Sequence, residues 1–569
     1  MSFFSPITER SLSVKTFFGS IYAILIIGSL TMILPCMIML SGSTSSGIDS
    51  TYFNVFPKFL LSKDEFFRKW IEARYHYVNE NYQQAWGDKD ANFYDITLPE
   101  LTEKDEQMLA LWKEFRAEAE VPENLFFPAY VRNNARVAAY TNRDFRQYLK
   151  KKYGDVDAIN AAAETYFPKF TAILPPPASM IGADTSNGKL IQIFAEYTKE
   201  IPDSRKIFWN VANYYNSVYL PNQFGYDISH YNARTGENYT DFSEIPLSTT
   251  YPGSGPIGDL WVEYVQKFIR PDLVGLTAQG EENFKQSNLS RSEFVRRISK
   301  PEDLQIENSV DALFRKWTTA KGIENAYIPQ KAIDKEIFLN ETGFWRNVFL
   351  TQNYYYVADE ILLYGRAISN TFILVLLMVG GALIVNPLAA YALSRYKLKQ
   401  TYTILLFLLA TIAFPAEVTM IPNFIQLKEL GLLNTFGALV LPTLANGFSI
   451  FLLKGFFDSL PRELYEAAEI DGANEWQKFW GITMNLSKPI LAVIALGAFT
   501  SAYGAFFFAL ILAPDPKMWT IMVYIYQMRA NVDSGIVHAS LVLTAVPTLL
   551  VFLMAQNVIL RGIVVPTEK

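Results

Sequence analysis

The stretch Glu466–Pro489, EAAEIDGANEWQKFWGITMNLSKP, is charged and amphipathic and lies between two long apolar runs near the C-terminus. Glu463, Glu466 and Glu469 recur at helical spacing, with small and apolar side chains between them. The chain is expected to turn at Gly472, after which an aromatic stripe follows. The stretch therefore predicts a short helix, a turn and a second helix, with acidic charge on the first arm.

Composition separates a membrane part from a polar part. The 569 residues are 50% hydrophobic and 15% aromatic, and the mean hydropathy of +0.10 lies between that of soluble proteins and that of proteins wholly in lipid. This length exceeds one ordinary domain. No spanning run occurs between Ser41 and Gly365, and the formal charge of -6 gives no nucleic-acid signature.

Six apolar runs are long enough to cross a bilayer, which takes about 20 residues. They are Phe18–Leu40, Thr371–Leu393, Thr403–Asn423, Phe436–Phe456, Ile490–Leu512 and Ser540–Leu560. Pro415 and Pro422 are expected to distort the third run. We therefore predict an all-α polytopic membrane protein with six transmembrane helices. A large, mainly helical domain is expected between the first and second helices.

Short-loop lysines and arginines predict the orientation. They lie before the first run, after the second, between the fourth and fifth and after the sixth: Arg10, Lys15, Arg395, Lys397, Lys399, Lys454, Arg462, Lys478, Lys488, Arg561 and Lys569. With six spans all these clusters fall on one side. Both termini and the Glu466 stretch are then cytoplasmic, and residues 41–365 are extracytoplasmic.

The first apolar run has a signal peptide as its alternative. Retention is favoured because the run is longer than a signal-peptide core and no clear Ala-x-Ala site follows it. The single cysteine, Cys36, lies within the run, so the polar domain is predicted to hold together without a disulfide. Burial of aromatic surface is the expected substitute.

The Glu466 stretch resembles the EAA loop, by which permease subunits of ABC importers bind their ATPase. The family pattern is Glu-Ala-Ala, three residues, Gly, nine residues and Ile-x-Leu-Pro. Positions in register are Glu466, Ala467, Ala468, Gly472 and Ile482. Met484 replaces the Leu and Asn485 the Pro, which makes the second bend less rigid. An interfacial helix is the alternative, but such helices carry a basic polar face and this first arm is acidic.

Further segments widen the resemblance to MalG-like permeases of carbohydrate importers. They are Asn386–Arg395 (NPLAAYALSR), Leu430–Thr435 (LGLLNT) and Ile470–Ala473 (IDGA). The likeness covers the first forty residues and everything from about Arg366 onward. Three parts are therefore expected: an N-terminus and first helix at 1–40, an insert at 41–365, and a permease core at 366–569 with its coupling loop at 458–489.

The resemblance implies a transport subunit in the cytoplasmic membrane of a bacterium. Implied partners are a second, MalF-like permease subunit, two ATPases, an extracytoplasmic substrate-binding protein and membrane lipid. ATP and Mg²⁺ would bind the ATPases, so this chain is expected to be no enzyme and to hold no cofactor. The nearest P-loop lookalike, Gly182 to Leu190, has one residue too many and Leu190 where Ser or Thr is needed. ATPase-coupling residues implied by the motif are Glu466, Ala467, Ala468, Asp471, Gly472, Ala473 and Ile482.

Polar and aromatic residues within the apolar runs mark a possible substrate pathway. The candidates are Glu417, Asn446, Tyr503 and Phe506. A structural role or a place near the outer interface is the alternative for Glu417. Sugar permeases often carry a Trp-Asn-Asp/Glu-Phe-like run where this chain has Tyr503-Gly504-Ala505-Phe506. The lost amide and carboxylate put a sugar substrate in doubt at this point, although aromatic rings could still stack on one.

The insert contains an internal echo. Phe67-Arg68-Lys69-Trp70 corresponds to Phe145-Arg146-Gln147-Tyr148, and weaker echoes begin at Trp261 and Phe294. The second copy is faintly similar to a helical stretch of β-galactosidase-type glycoside hydrolases, but that stretch carries no catalytic carboxylate. With His76, His230 and His538 as the only histidines, no metal cluster is visible. A docking or glycan-binding module is favoured over a hydrolase.

Two functions remain open from the sequence. The favoured one is a permease subunit of an ABC importer, for a carbohydrate or related small solute, that couples to a separate ATPase. The alternative is a membrane-anchored glycan-binding or receptor module whose permease-like part serves gating or signalling. The register around Glu466 favours transport, and only the large insert favours the alternative.

Overall fold

The computed structural model describes residues 12–47, 49, 54–128, 139–176, 188–297, 300–362, 365–396, 398–412 and 415–562. Arg10, Lys397, Lys569 and most of the P-loop lookalike therefore lie outside the described residues. The chain forms two compact units. One contains Met1–Tyr356 and Asp533–Ile536, and the other Val357–Val532 and Val537–Lys569. The boundaries predicted at 40/41 and 365/366 stay predictions.

The first unit begins with one long apolar helix, Leu12–Gly42. Its hydrophobic side chains are distributed around the whole circumference rather than along one stripe, which is typical of a helix surrounded by lipid. The most apolar 18-residue window of Thr16–Gly42 has a mean hydropathy of 2.5, and none of that window is buried. The helix thus satisfies the length and composition expected of the first span, and Pro35 lies inside it.

The rest of the first unit is mainly helical, and three successive segments share one order of elements. Each has three helices, a 3₁₀ turn directly before the strand and a two-residue strand, and the second and third segments have a further 3₁₀ turn before the third helix. The helices are Lys63–Arg74, Asn79–Trp86 and Glu103–Glu118; Tyr140–Tyr153, Val156–Ala163 and Lys189–Glu200; and 211–223, Ile228–Thr235 and 256–268, two of which include π-helical turns. The 3₁₀ turns before the strands are Glu123–Leu125, Asp203–Arg205 and Pro271–Leu273, and the strands are Phe126–Phe127, Ile207–Phe208 and Gly275–Leu276.

The remaining elements of this unit lie within or on either side of the three segments. They are the helices Lys58–Leu61, Ala278–Ser287, Arg291–Arg297, Val310–Ala320 and Gln330–Val357, the 3₁₀ turns Phe170–Ala172, Phe242–Glu244 and Pro301–Asp303, and the strand Leu304–Gln305. The first two strands pair antiparallel with each other, and so do the last two. These strands were not predicted, because two residues are too few to produce an alternating pattern.

An identical side-chain clamp occurs in two of the segments. The Asn160 amide donates to the Phe167 carbonyl at 3.0 Å and accepts from the Phe167 N–H at 2.8 Å. Asn232 makes the same pair of bonds to Tyr239, at 2.8 and 3.1 Å. The chain therefore leaves the second helix of both segments by the same turn.

The weaker repeat at Trp261 does not occupy the position in its segment that the sequence comparison with Phe67 predicts. Phe67 and Phe145 both lie on the first helix of their segments. Trp261, however, lies on the third helix of its segment, at the place held by Trp112 and Phe194. Its likeness to Phe67 reflects the common i, i+3 spacing of aromatics on an amphipathic helix rather than an equivalent position.

Two aromatic-rich cores stabilise the unit. The first collects side chains from 59 to 207, and the second from 112 to 314. The helix Gln330–Val357 contributes Phe338 and Phe349 to the first core and Ile333 to the second. This helix therefore connects the two cores.

A buried carboxylate fixes that helix against the first segment. Asp334, which is fully buried, accepts from the Arg74 Nε at 2.7 Å and from the Tyr75 hydroxyl at 2.5 Å. It also accepts from the Trp86 Nε1 and the Gln330 Nε2, both at 2.8 Å. Four donors surround one carboxylate, so its burial is compensated by charge-assisted hydrogen bonds.

The second unit is built of helices and single helical turns in its described part. They are Ala358–Leu362, Ala367–Arg395, Thr401–Ile412, Ala416–Glu429, Phe436–Val440, Leu441–Thr443, Gly447–Asp458, Glu463–Ile470, Glu475–Gln477, Lys478–Met484, Lys488–Tyr503, Phe507–Leu512, Pro516–Met518 and Ile521–Met528. The C-terminal helix is Ser534–Gly562. The fold class is thus helical and of the membrane-permease type.

Fewer continuous spans are present than the sequence predicts. Three helices of the described chain are long and apolar enough to cross a membrane, or up to five if each of two bent pairs counts as one span. The predicted third span is divided into Thr401–Ile412 and Ala416–Glu429, next to Pro415. The count of six spans and the side on which the insert lies stay predictions.

Two of the predicted spans are broken inside. The fourth bends by 48° between Phe436–Thr443 and Gly447–Asp458. The fifth ends as a continuous helix at Tyr503 and resumes at Phe507, instead of running to Leu512. Gly504 caps the first of these helices, and glycine is the least stable ordinary residue in a helix interior.

Candidate coupling loop and substrate pathway

The loop at 458–489 folds as a helix, a turn and a second helix. Its first arm is Glu463–Ile470, and Gly472 follows with a φ of +78°. Such a left-handed conformation favours glycine and closes the first arm. Asn474 and Gln477 then form a capping box that starts the second arm, which continues through a π-helical turn at Lys478–Met484.

The residues implied in coupling lie on the outer side and at the tip of this loop. Glu466, Ala467, Asp471 and Gly472 are exposed, and Ala468, Ala473 and Ile482 are half-buried. Ile470, between them, is 87% exposed. An exposed isoleucine beside small residues and carboxylates is a surface that a partner groove could cover.

The inner side of the loop is held to the helix Ala367–Arg395. The Tyr391 hydroxyl donates to Glu475 at 2.9 Å, and the Tyr391 and Phe479 ring centroids lie 5.3 Å apart. The Arg395 guanidinium lies 3.6 Å from the centroid of the Tyr465 ring. Both arms of the loop therefore contact the same helix.

The two arms are also bonded to each other. The hydroxyls of Tyr465 and Thr483 share a buried hydrogen bond of 2.8 Å. Lys478 lies 3.1 Å from Glu475 and 3.6 Å from Glu469, which joins the second arm to the first. These bonds hold the two arms of the loop together.

The aromatic stripe expected after Gly472 is only partly exposed. Phe479 is 2% exposed and belongs to the core, whereas Trp476 and Trp480 are exposed. The three rings contact one another, with centroids 5.3 to 6.0 Å apart. The stripe thus anchors the second arm through Phe479 and presents two tryptophans outward.

The second bend follows the loop directly. The helical axis turns by 85° between Glu475–Met484 and Lys488–Tyr503, near the motif position held by Asn485. Pro489 stands in the first turn of the following helix, where its missing N–H is tolerated. Replacement of the family proline by Asn485 is therefore compatible with a sharp bend.

The candidate residues of the substrate pathway lie at two different helix breaks or outside the described side chains. The side chain of Glu417 lies outside the described residues. Asn446 caps the helix Gly447–Asp458, and its N–H donates to the fully buried Asn386 at 2.8 Å. The structure thus brings Asn386 and Asn446 together at the break of the fourth predicted span.

Tyr503 and Phe506 flank the other break. The Tyr503 hydroxyl donates to the Thr544 carbonyl at 2.6 Å, and its ring stacks on Phe499. Tyr503 also lines an almost entirely apolar cavity of about 340 Å³ within this unit. Phe506 contacts Tyr526, with ring centroids 5.1 Å apart.

Sequence reasoning missed the residues that hold the loop in place. No sequence motif pairs the residues concerned, which are Tyr465, Thr483, Tyr391 and Arg395. Their contacts join parts of the chain that are far apart in sequence.

Among the described residues no group of three His, Cys, Asp or Glu side chains could hold a metal ion.

Comparison with known proteins assigns the C-terminal part of the chain. Residues 366–561 match the family described as binding-protein-dependent transport system inner membrane component. The insert at 41–365 lies outside this match.

Individual relatives agree with that family. The diacetylchitobiose uptake system permease protein NgcG of Streptomyces coelicolor is 32% identical over 199 residues, which cover 34% of this chain and 66% of that protein. The sn-glycerol-3-phosphate transport system permease protein UgpE of Yersinia pestis is 32% identical over 207 residues, or 35% of this chain and 73% of that protein.

A solved structure, that of a bacterial ABC transporter involved in the import of the acidic polysaccharide alginate, is 26% identical. It covers 36% of this chain and 78% of the other, with a TM-score of 0.34. The family and the two permeases are transport components, which agrees with a non-enzymatic subunit. The chain belongs to the binding-protein-dependent transport system inner membrane components, as a MalG-like permease of the carbohydrate ABC type with an additional N-terminal region.

Proposed function

We propose that this chain forms half of the translocation pathway of an ABC importer and couples to a separate ATPase through residues 458–489. One observation carries the proposal. The loop is bonded on its inner side to the helix Ala367–Arg395, while Glu466, Ala467 and Ile470 are exposed on its outer side. A loop fixed on one side and open on the other is suited to transmit the movement of a docked partner.

The contacts define a route for that movement. A partner that displaces the arm Glu463–Ile470 also displaces Thr483 through the Tyr465 hydroxyl. The second arm is continuous with the bend at 485–487 and the helix beyond it. Movement at the loop therefore reaches the membrane helices through packed side chains and hydrogen bonds, which is the physical requirement for coupling.

The charge of the outer side defines the partner surface. Glu463, Glu466, Glu469 and Asp471 are all exposed, and among the described residues only Glu469 of these four forms an ion pair, with Lys478. A basic groove on the ATPase would complement the other three. The exposed Ile470 supplies the apolar contact at the centre of such an interface.

The proposed assembly follows the family. It comprises this chain, a second MalF-like permease, two ATPases and an extracytoplasmic binding protein, in the bacterial cytoplasmic membrane. The related permeases are named for a diacetylchitobiose and a glycerol phosphate system, so we propose a carbohydrate or related small solute as substrate. Glu417, Asn446, Tyr503 and Phe506 remain the proposed pathway residues. The receptor or gating alternative is not favoured, because the relatives are transport permeases.

A charge reversal tests the coupling. Glu466→Lys should abolish ATP-driven uptake and substrate-stimulated ATPase activity while the chain still inserts in the membrane. Glu429→Lys is the matched control, since Glu429 is an exposed glutamate in a different part of the unit. Normal uptake by Glu466→Lys in reconstituted vesicles would overturn the coupling role.

A further inference from the structure

The insert contains a cavity of about 400 Å³ inside the first unit. It lies where the end of the helix Asn79–Trp86, the start of the segment 211–223, the helix Val310–Ala320 and the turn before Gln330 meet. Its volume is within the range of about 300–1,000 Å³ that is typical of small-molecule sites. Nothing in the permease family match concerns this part of the chain.

Two aromatic side chains in the cavity wall are held in place from behind. The Trp86 indole N–H donates to the buried Asp334 at 2.8 Å. The Tyr327 hydroxyl donates to Asp105 at 2.7 Å, and burial with this bond raises the Tyr327 pKa to about 12. Gly87 has a φ of +67°. The side-chain amide of Asn213 packs against Gly87, at the place where any other residue would have its Cβ. The rings thus form a preorganised apolar side of the cavity.

The carboxylates of the cavity already accept hydrogen bonds from the protein. Asp105 accepts from Thr102 and Tyr327, bonds that hold the pKa of its carboxyl below the usual range. Asp311 accepts from the backbone N–H groups of Val211 and Ala212, at 3.2 and 3.4 Å. Both carboxylates are therefore already engaged as acceptors.

The cationic groups of the cavity have fewer bonded partners than its carboxylates. The Arg315 guanidinium makes no hydrogen bond or ion pair with the described residues. The Lys331 Nζ lies 5.1 Å from the centroid of the Trp86 ring, and its charge helps to hold the pKa of the Asp105 carboxyl down. The side-chain amide of Asn213 likewise bonds to none of the described residues. The cavity thus offers unpaired donors at Arg315 and Asn213, with Lys331 as a second cation beside them.

We propose that this cavity binds an acidic saccharide, a sugar ring that carries a carboxylate. The aromatic side can pack on the apolar C–H face of the ring. Arg315 and Lys331 provide charge-assisted hydrogen bonds to the carboxylate, and Asn213 bonds a hydroxyl. A neutral sugar would cover part of the Arg315 guanidinium without pairing its charge, which costs free energy. The proposal concerns the first unit alone and does not depend on the coupling loop.

The test uses the full chain in lipid nanodiscs and isothermal titration calorimetry. The probes are the uronic acids galacturonate, glucuronate and mannuronate and their disaccharides, with galactose, glucose, mannose and the corresponding neutral disaccharides as controls. At least one uronic acid should bind saturably and about tenfold more tightly than its neutral counterpart, a difference of about 1.4 kcal/mol. Binding of none of them, or equal binding of the neutral sugars, overturns the proposal.

Substitutions locate the binding. Arg315→Ala should weaken uronic acid binding about tenfold or more. Lys316→Ala is the matched control, because Lys316 is exposed on the same helix and does not line this cavity. Both residues are exposed, so neither change is expected to unfold the unit. Equal loss in both variants, or no loss in Arg315→Ala, places the ligand elsewhere and contradicts the proposal.

Discussion

Gly472 sets the angle between the two arms of the coupling loop. Its φ of +78° is unfavourable for a β-branched side chain, and apart from its chain neighbours no atom of the described residues lies within 4 Å of the place where a Cβ would stand. Substitution therefore changes backbone strain without a steric clash. At about 1–2 kcal/mol for a non-glycine residue in this conformation, strain is enough to shift the loop geometry.

We expect Gly472→Val to reduce ATP-driven uptake markedly and Gly472→Asn to reduce it much less. Asparagine tolerates the left-handed region, so the two variants differ mainly in strain. Uptake and ATPase activity are measured in the same vesicles. Equal activity of the two variants would show that the conformation of Gly472 does not matter for coupling.

His76 makes the insert sensitive to acid. Burial lowers its pKa from 6.5 to about 4, and its Nε2 lies 2.6 Å from the Thr141 hydroxyl. The unfolded chain therefore binds more protons between pH 6.5 and 4, so stability falls as pH falls through this window. The loss attributable to His76 amounts to about 3 kcal/mol at pH 4.

Hydrogen–deuterium exchange of residues 63–86 between pH 7 and 4 measures this loss. His76→Asn should show a smaller decrease in protection than the wild-type protein, because Asn does not titrate and tolerates the positive φ of 54° at this position. Identical pH profiles for the two proteins would contradict the assignment. The difference between them removes the contribution of the carboxylates, which titrate in both.

At the scale of elements, the helix Gln330–Val357 depends on Asp334. Asp334→Ala leaves the buried Arg74 without its carboxylate, and breaking such a pair costs about 3–5 kcal/mol. Glu336→Ala is the control on the same helix, since its ion pair with Lys113 is partly exposed and is worth about 0–1 kcal/mol. Proteolysis rates of the insert compare the two variants. Similar rates would show that the Asp334 network does not fix the helix.

The sequence predicts the existence of helices better than their breaks. Apolar length correctly located the helices Leu12–Gly42, Ala367–Arg395 and Ser534–Gly562. The break at Gly504 was not predicted, since hydropathy is unchanged across it and a single glycine permits a break without requiring one. The short strands and the Asn160 clamp depend on contacts that no local periodicity reveals.

The same limit applies to the candidate site. The register from Glu466 to Gly472 can be identified from one stretch, because the turn and the exposed face are local properties. The bond between Tyr465 and Thr483 and the contact with Arg395 arise only when distant parts of the chain pack together. Sequence therefore located the loop, and the structure identified what holds it.

At the scale of the whole molecule, the two units of the chain carry different candidate sites. The second unit carries the family match and a loop with an exposed acidic face. The first unit has two aromatic cores, one repeated order of elements and a cavity with unpaired donors. The proposals for the two units therefore need separate tests, and failure of one leaves the other standing.

Purification of the protein from native membranes in mild detergent, with mass spectrometry of the proteins that accompany it, tests the central claim most directly. We predict that an ATPase and a second permease are recovered with the wild-type chain and that the ATPase is lost from Glu466→Lys. A complex that contains no ATPase, or one that retains it fully in the variant, would contradict the assignment of residues 458–489 as the coupling loop.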